Sequence, residues 1–159
     1  MLKDKAIGLS KKISYGKVID QITRSNAYYI GKRLEKHNLN KSEYKYLIQI
    51  YNKEGICQED LATILKCEKH EVAKGIKALV DKGYLYKEKD KDDKRRYKIY
   101  LEEKAKIARD SIVDVLEESS DIMTKGFTET EKDTLIELLL RMSENMHEAA
   151  VDMKKGRMI

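Results

Sequence analysis

The sequence predicts a mainly α fold with one small β-hairpin, set in 159 residues. Three observations predict it. Apolar residues recur at three-to-four spacing along most of the chain, and between Tyr84 and Leu101 the period drops to two. Proline, expected about eight times at a usage of ~5%, does not occur, which suits long unbroken helices. The length suffices for one core, since such a chain buries roughly 68–70% of its unfolded surface. A charged share of 38% beside a hydrophobic share of 41% excludes a disordered tail and a membrane protein. No apolar run approaches the ~18–20 residues that span a bilayer, and the first residues lack the apolar centre of a signal peptide. The expected location is therefore cytoplasmic. Two cysteines, Cys57 and Cys67, are too few for a disulfide framework.

The elements follow in order. Ile19, Ile22, Tyr29, Ile30 and Leu34 mark an amphipathic helix over about 10–36. Asn40 with Glu43 three residues on is a variant capping box, after which Tyr44, Leu47, Ile48 and Tyr51 share a face until Gly55. A short helix spans about 58–65, with Leu61, Ala62 and Leu65 inward. Another spans 69–82, with Val72, Ile76, Leu79 and Val80 inward and Gly83 as its C-terminal cap. Residues 84–87 and 96–101 alternate as strands of a hairpin whose tip is the charged run 88–95. The helical period then returns from Glu102 through Ile107, Ile112, Leu116 and Met123. It breaks near Gly126 and restarts at Thr128, which forms a second capping box with Glu131. Leu135, Leu138, Leu139, Met142 and Met146 stripe this last helix.

Charge is unevenly placed. The net +5 divides into +8 over residues 1–53, +2 over 54–101 and −5 over 102–159, so the chain as a whole permits a polyanionic partner without demanding one. Two short helices joined by a tight turn and followed at once by a charged hairpin form a winged helix-turn-helix. Its second helix suits the major groove of DNA. If Val72, Ile76 and Leu79 face the core, then Lys69, His70, Ala73, Lys74 and Lys77 face outward to base edges and phosphates. Gln58 opens the first helix of the motif, and Lys91, Asp93, Lys94 and Arg95 crowd the hairpin tip. Arg95 suits the narrower minor groove, where negative potential is enhanced over A·T tracts.

This stretch resembles the MarR family of transcriptional regulators, the multiple-antibiotic-resistance type, over about residues 10–150. The matching words are Gln58-Glu59-Asp60-Leu61-Ala62, then Leu79-Val80-Asp81-Lys82-Gly83-Tyr84-Leu85, then Asp90-Lys91-Asp92-Asp93-Lys94-Arg95 in the wing, and Leu101-Glu102-Glu103-Lys104-Ala105. The resemblance implies that Asp93 braces Arg95 toward the minor groove, and that Lys74 stands where the family has a groove-reading arginine. A lysine there is a point charge without arginine's planar fork. Ala73, His70 and Ala78 also depart from the family pattern.

The resemblance further implies a homodimer on double-stranded DNA, in which the first helix and the last two interlock. Residues 1–38 and 102–159 form the helical dimerisation region and 39–101 the winged helix-turn-helix, within one compact domain. Ile13, Leu135, Leu138, Leu139, Met142 and Met146 fall at the expected interface, and the apolar stripe of the last helix supports this independently. A small-molecule effector pocket lined by Tyr29, His37 and Tyr44 is implied as well. The expected activity is an effector-responsive repressor of a pseudo-palindromic operator. Two alternatives remain: a winged protein-interaction module, and an architectural DNA binder without an effector.

Enzymatic function is not expected, because no nucleophile elbow, phosphate loop or zinc-protease helix is present. No cofactor or metal is expected either. Cys67 and His70 make only a C-x-x-H fragment, and Cys57 as a third ligand would compete with the DNA-reading turn. Cys57 stands at a helix N-cap, where a thiol pKa can fall far enough for redox sensing. The redox-sensing branch of the family uses a cysteine near the end of the first helix instead, which favours a small, partly buried side chain here.

Overall fold

The computed structural model describes residues 14–40 and 42–156. Helix α1, Tyr15–Leu34, starts at Ser14, whose hydroxyl accepts a hydrogen bond from the Lys17 amide at 3.3 Å. This is the N-cap that a serine before a helical run provides. The expected start near residue 10 and the residue Ile13 lie outside the described residues. Ile30 and Leu34 of α1 are buried, whereas Ile19 and Ile22 are exposed. A 3-10 turn, Glu35–His37, follows and ends at Asn38, which takes the left-handed conformation at φ 54°.

Asn40 and Glu43 exchange the expected contacts. The Asn40 amide donates to the Glu43 carboxylate at 2.9 Å, and the Asn40 side-chain oxygen accepts from the Glu43 amide at 3.1 Å. The helix proper, α2, is Tyr44–Asn52, and it buries Tyr46, Leu47 and Ile50. The expected face of Tyr44, Ile48 and Tyr51 is only partly buried. Two contacts fix this rotation: the Tyr46 ring lies over Gly75, and the Tyr51 hydroxyl donates to the Ala105 carbonyl at 2.7 Å.

Strand β1, Ile56–Cys57, was not foreseen, since two residues carry no periodicity. It pairs antiparallel with β3, Tyr97–Leu101, which also pairs with β2, Leu85–Lys89. The hairpin is thus part of a three-stranded sheet of order β1-β3-β2. Gly55, at φ 76°, lets the chain turn into β1 while its amide donates to the Ile99 carbonyl at 2.8 Å.

Helices α3, Gln58–Ile64, and α4, Lys69–Asp81, form the helix-turn-helix. Helix α3 buries Leu61 and Ala62, and α4 buries Val72, Ile76 and Leu79, while Leu65 and Val80 are half-buried. A capping box of Glu68 and Glu71 starts α4. Helix α5, Glu103–Met123, buries Ala105, Ala108, Ile112, Val115 and Ser119. The expected stripe through Ile107 is therefore turned, and Ile107 is 76% exposed. The small Ala105 and Ala108 let the helix approach the core closely. Helix α6, Glu129–Lys154, begins with the expected Thr128–Glu131 box and buries none of its residues.

The chain divides into two compact units, one through Ser119 and one from Ser120. The core lies in the first, around Leu34, Leu47, Ile50, Ile76, Tyr84, Ile99 and Ile112. Two polar ties hold α4 within it. Lys82, just past α4, donates to the buried Glu43 carboxylate at 2.7 Å and to the Asn38 carbonyl at 2.8 Å, and Tyr84 donates to the His37 carbonyl at 2.7 Å. Removing one member of such a pair leaves a buried charge uncompensated, at a cost of ~3–5 kcal/mol.

Gly75 is the tightest point of this packing. A Cβ there would stand within 3.0 Å of three Tyr46 ring atoms, and the ring is buried with its hydroxyl donating to the Glu71 carbonyl at 3.2 Å. Helix propensity alone would make Gly75→Ala stabilising by ~1 kcal/mol. The clash reverses that sign at ~1–3 kcal/mol. Urea denaturation of Gly75→Ala should show net destabilisation, whereas a gain in stability would mean the Tyr46 ring swings away freely.

Candidate nucleic-acid interface

The outer face of α4 carries Lys69, His70, Ala73, Lys74 and Lys77, all exposed as expected. They do not form one uniform surface. Lys77 is held by Asp81 at 2.6 Å, an exposed pair that contributes little to stability. His70 and Lys74 instead line a cleft of about 440 Å³ between the start of α2 and α4, with Ser42 and Lys45 across from them. Lys45 was not among the expected site residues. Its only signal was its place in the first turn after the Asn40–Glu43 box.

The wing tip, residues 90–96, is organised by its own carboxylates. Asp93 accepts from the Arg95 backbone amide at 3.0 Å and from Arg95 Nε at 3.4 Å. Asp90 accepts from the Asp92 amide at 2.9 Å and pairs with Lys98 at 3.4 Å. The Asp92 amide, and after it Lys98, hold the Asp90 carboxyl below the usual carboxylate range. Backbone bonds from Asp90 to Arg96 and from Arg96 to Asp93 close the turn. With Asp90 and Asp93 engaged in this way, Arg95 projects 93% exposed, flanked by exposed Lys91 and Lys94.

Arg96 does the opposite of its neighbour. It turns back toward the start of α3, pairs with Asp60 at 3.6 Å and donates to Cys57 Sγ. Sequence reading missed this role, because Cys57 and Asp60 lie more than thirty residues away. Gln58 also turns inward: its side-chain oxygen accepts from Lys87 at 3.5 Å, and its amide nitrogen is buried without a partner among the described residues.

Cys57 does occupy the N-cap position of α3, but its side chain makes no capping bond. Burial is the first cause acting on the thiol and pushes its pKa up, outweighing the lowering by the nearby Asp60 amide and by the Arg96 donation. The side chain is thus buried, in line with the small, partly buried residue the sequence favours over a redox-sensing thiol. Both cysteines are free, and among the described residues no group of three His, Cys, Asp or Glu could hold a metal.

The three residues expected at an effector pocket take separate structural roles. Tyr29 accepts from Arg33 at 3.2 Å, and Arg33 pairs with Glu118 of α5 at 2.7 Å. His37 meets Ser111 of α5 at 3.0 Å, and burial, followed by Lys36, lowers its ring pKa. Tyr44 packs against the core, and burial raises its phenol pKa. None of the three lines the α2–α4 cleft. On α6, Leu135 and Met142 are half-buried, and Leu138, Leu139 and Met146 are exposed, Met146 at 70%.

Comparison with known proteins gives a consistent result. The model of the MarR family matches residues 39–97. An uncharacterized HTH-type transcriptional regulator, YybA of Bacillus subtilis (strain 168), is 34% identical over 119 residues, covering 75% of this chain and 79% of that protein. A MarR transcriptional regulator from Methanosarcina mazei Go1 is similar at 31% identity with a TM-score of 0.76, covering 84% of this chain and 96% of the other. A MarR family transcriptional regulator from Listeria monocytogenes, solved in complex with 26mer DNA, is 29% identical with a TM-score of 0.84, covering 92% and 97%.

The environment of Cys57 gives a direct test. A thiolate is the reactive form, and burial disfavours it at Cys57. In the native protein at neutral pH, iodoacetamide should alkylate Cys57 far more slowly than Cys67, and in denaturant the two should react alike. Native Cys57 reacting as fast as Cys67 would contradict the assignment.

Proposed function

The chain belongs to the MarR family of transcriptional regulators, and on that premise we propose that it is a homodimeric, cytoplasmic repressor that binds a pseudo-palindromic operator and responds to a small-molecule effector. It carries the DNA-binding winged-helix fold of that family. The role is one of binding rather than catalysis, and it uses no cofactor.

The observation that carries the reading is the wing. Arg95 is braced by Asp93 and almost fully exposed at the tip of a β-turn in which the Asp90 carboxylate is also satisfied internally. That is a preset guanidinium for a narrow minor groove. Lys69, Lys74 and Lys77 then supply charge from α4 to the adjacent major groove. The similar Listeria monocytogenes protein was solved in complex with 26mer DNA, which supports DNA as the partner. In this reading the effector meets Tyr29, His37 and Tyr44, which also serve structure: Tyr29 accepts from Arg33, His37 meets Ser111 of α5, and Tyr44 packs against the core. The exposed Leu138, Leu139 and Met146 of α6 support the dimer, in which two recognition helices would address half-sites one helical turn, ~34–36 Å, apart.

Three measurements test this. In a gel shift, a duplex from the region upstream of the protein's own gene should bind with an affinity that falls steeply with salt, and absence of binding at low salt overturns the reading. Arg95→Ala should weaken that binding by ~1–3 kcal/mol, and an unchanged affinity would remove Arg95 from the interface. In sedimentation, the wild type should run as a dimer and the Leu139→Glu, Met142→Glu double variant as a monomer; a variant that stays dimeric would place the interface elsewhere.

A further inference from the structure

The cleft between α2 and α4 joins cations from two elements that are distant in sequence. We propose that it seats one phosphate of the DNA backbone, clamped between Lys45 and Lys74, so that Lys74 fixes position along the duplex instead of reading a base. This rests on the DNA-binding reading above and deepens it.

The charges within the cleft favour an anion. Two carboxylates line it, Glu43 and Glu71. Glu43 is buried and neutralised by Lys82 at 2.7 Å, and it also accepts from the Asn40 amide. Glu71 is engaged in the capping box, where it accepts from the Glu68 amide at 3.3 Å. Against its single charge stand Lys45 and Lys74, with His70 and the Ser42 hydroxyl as further donors.

Among the described residues, these two lysines are set apart from Lys77, Lys82 and Lys98 by lacking a carboxylate partner, and from Lys69 by lining the cleft. Lys77, Lys82 and Lys98 are each held by a carboxylate, at 2.6, 2.7 and 3.4 Å. Among the described residues, no carboxylate pairs with Lys45 or Lys74. Lys45 is held in place by other means, with its ammonium 5.0 Å from the centre of the Tyr46 ring. That ring is itself immobilised over Gly75. One cation is therefore positioned before any ligand arrives, which lowers the entropic cost of engaging an anion.

Position along α4 separates reading from anchoring. His70 and Lys74, four residues apart, lie on the flank toward α2, whereas Lys69, Ala73 and Lys77 lie outside the cleft. A phosphate held between α2 and α4 would lie at the edge of the groove that α4 enters. A lysine is a flexible point charge, well suited to a phosphate and poorly suited to a bidentate base contact. The absence of an arginine at position 74 is then consistent with its neighbourhood.

The test compares salt dependence. Affinities of wild type, Lys45→Gln and Lys74→Gln are measured over a range of salt concentrations, on the upstream duplex and on a scrambled duplex of equal length. Each glutamine variant should flatten the slope of log affinity against log salt by about 0.9 and lose affinity by the same factor on both duplexes. Lys45→Arg and Lys74→Arg, which keep the charge, should retain the wild-type slope. Methylphosphonate duplexes neutralised one phosphate at a time should contain a position that weakens wild type but has no further effect on Lys45→Gln or Lys74→Gln. If wild type binds and both glutamine variants keep its slope, or if Lys74→Gln loses affinity only on the upstream duplex, the clamp is overturned and the DNA reading stands. If wild type binds neither duplex, both fall together.

Discussion

The close approach of α2 to α4 is the constraint on which the rest of the proposed DNA-facing surface depends. It is possible because position 75 has no side chain, and Tyr46 occupies the vacated space as a buried ring bonded to the Glu71 carbonyl. At the far end of α4 the buried Glu43–Lys82 pair and the Lys82–Asn38 bond fix the helix against the turn that precedes α2. Lys104 extends the tie, donating to the Lys82 carbonyl at 2.8 Å with its ammonium 4.5 Å from the Tyr84 ring centre. A helix gripped at its middle and its end presents a fixed set of outward residues, and sequence-specific recognition needs that.

The distribution of charge shows a second regularity. Carboxylates near this surface are mostly consumed by the fold itself. Asp93 braces Arg95, Asp90 pairs with Lys98, Glu43 neutralises Lys82, and Asp60 receives Arg96. What remains outward on the wing and on the α2 side of α4 has an excess of positive charge, with Lys91, Lys94 and Arg95 beside Glu88 and Asp92, and Lys45 and Lys74 beside Glu71, although the segment 54–101 has a net charge of only +2. Adjacent arginines divide the work: Arg96 anchors the wing to α3 while Arg95 is left to solvent.

Much of this was legible because the signals are local. The Thr128–Glu131 box, the apolar period of α4 and Gly83 past its end all involve residues within a few positions of one another, while the Asp93–Arg95 brace followed from the family resemblance. The rotated helix faces share one physical cause, which is that burial was inferred from apolar size alone. Ala105, Ala108 and Gly75 define packing faces by being small, so the faces of α5 and α2 came out rotated. Strand β1 was too short to show a period. Cys57 is the small, buried side chain the sequence favours, although its Arg96 partner belongs to the tertiary structure and could not be read locally. The two flanks of α4 could not be told apart before α2 was placed beside it.

Amide hydrogen exchange with and without the upstream duplex tests the central claim, that the α2 start, α4 and the wing form one DNA-binding surface, most directly. The account predicts that DNA slows exchange in residues 42–46, 69–78 and 90–97 together. Protection confined to other segments, with α4 and the wing unchanged in the presence of saturating duplex, would contradict it.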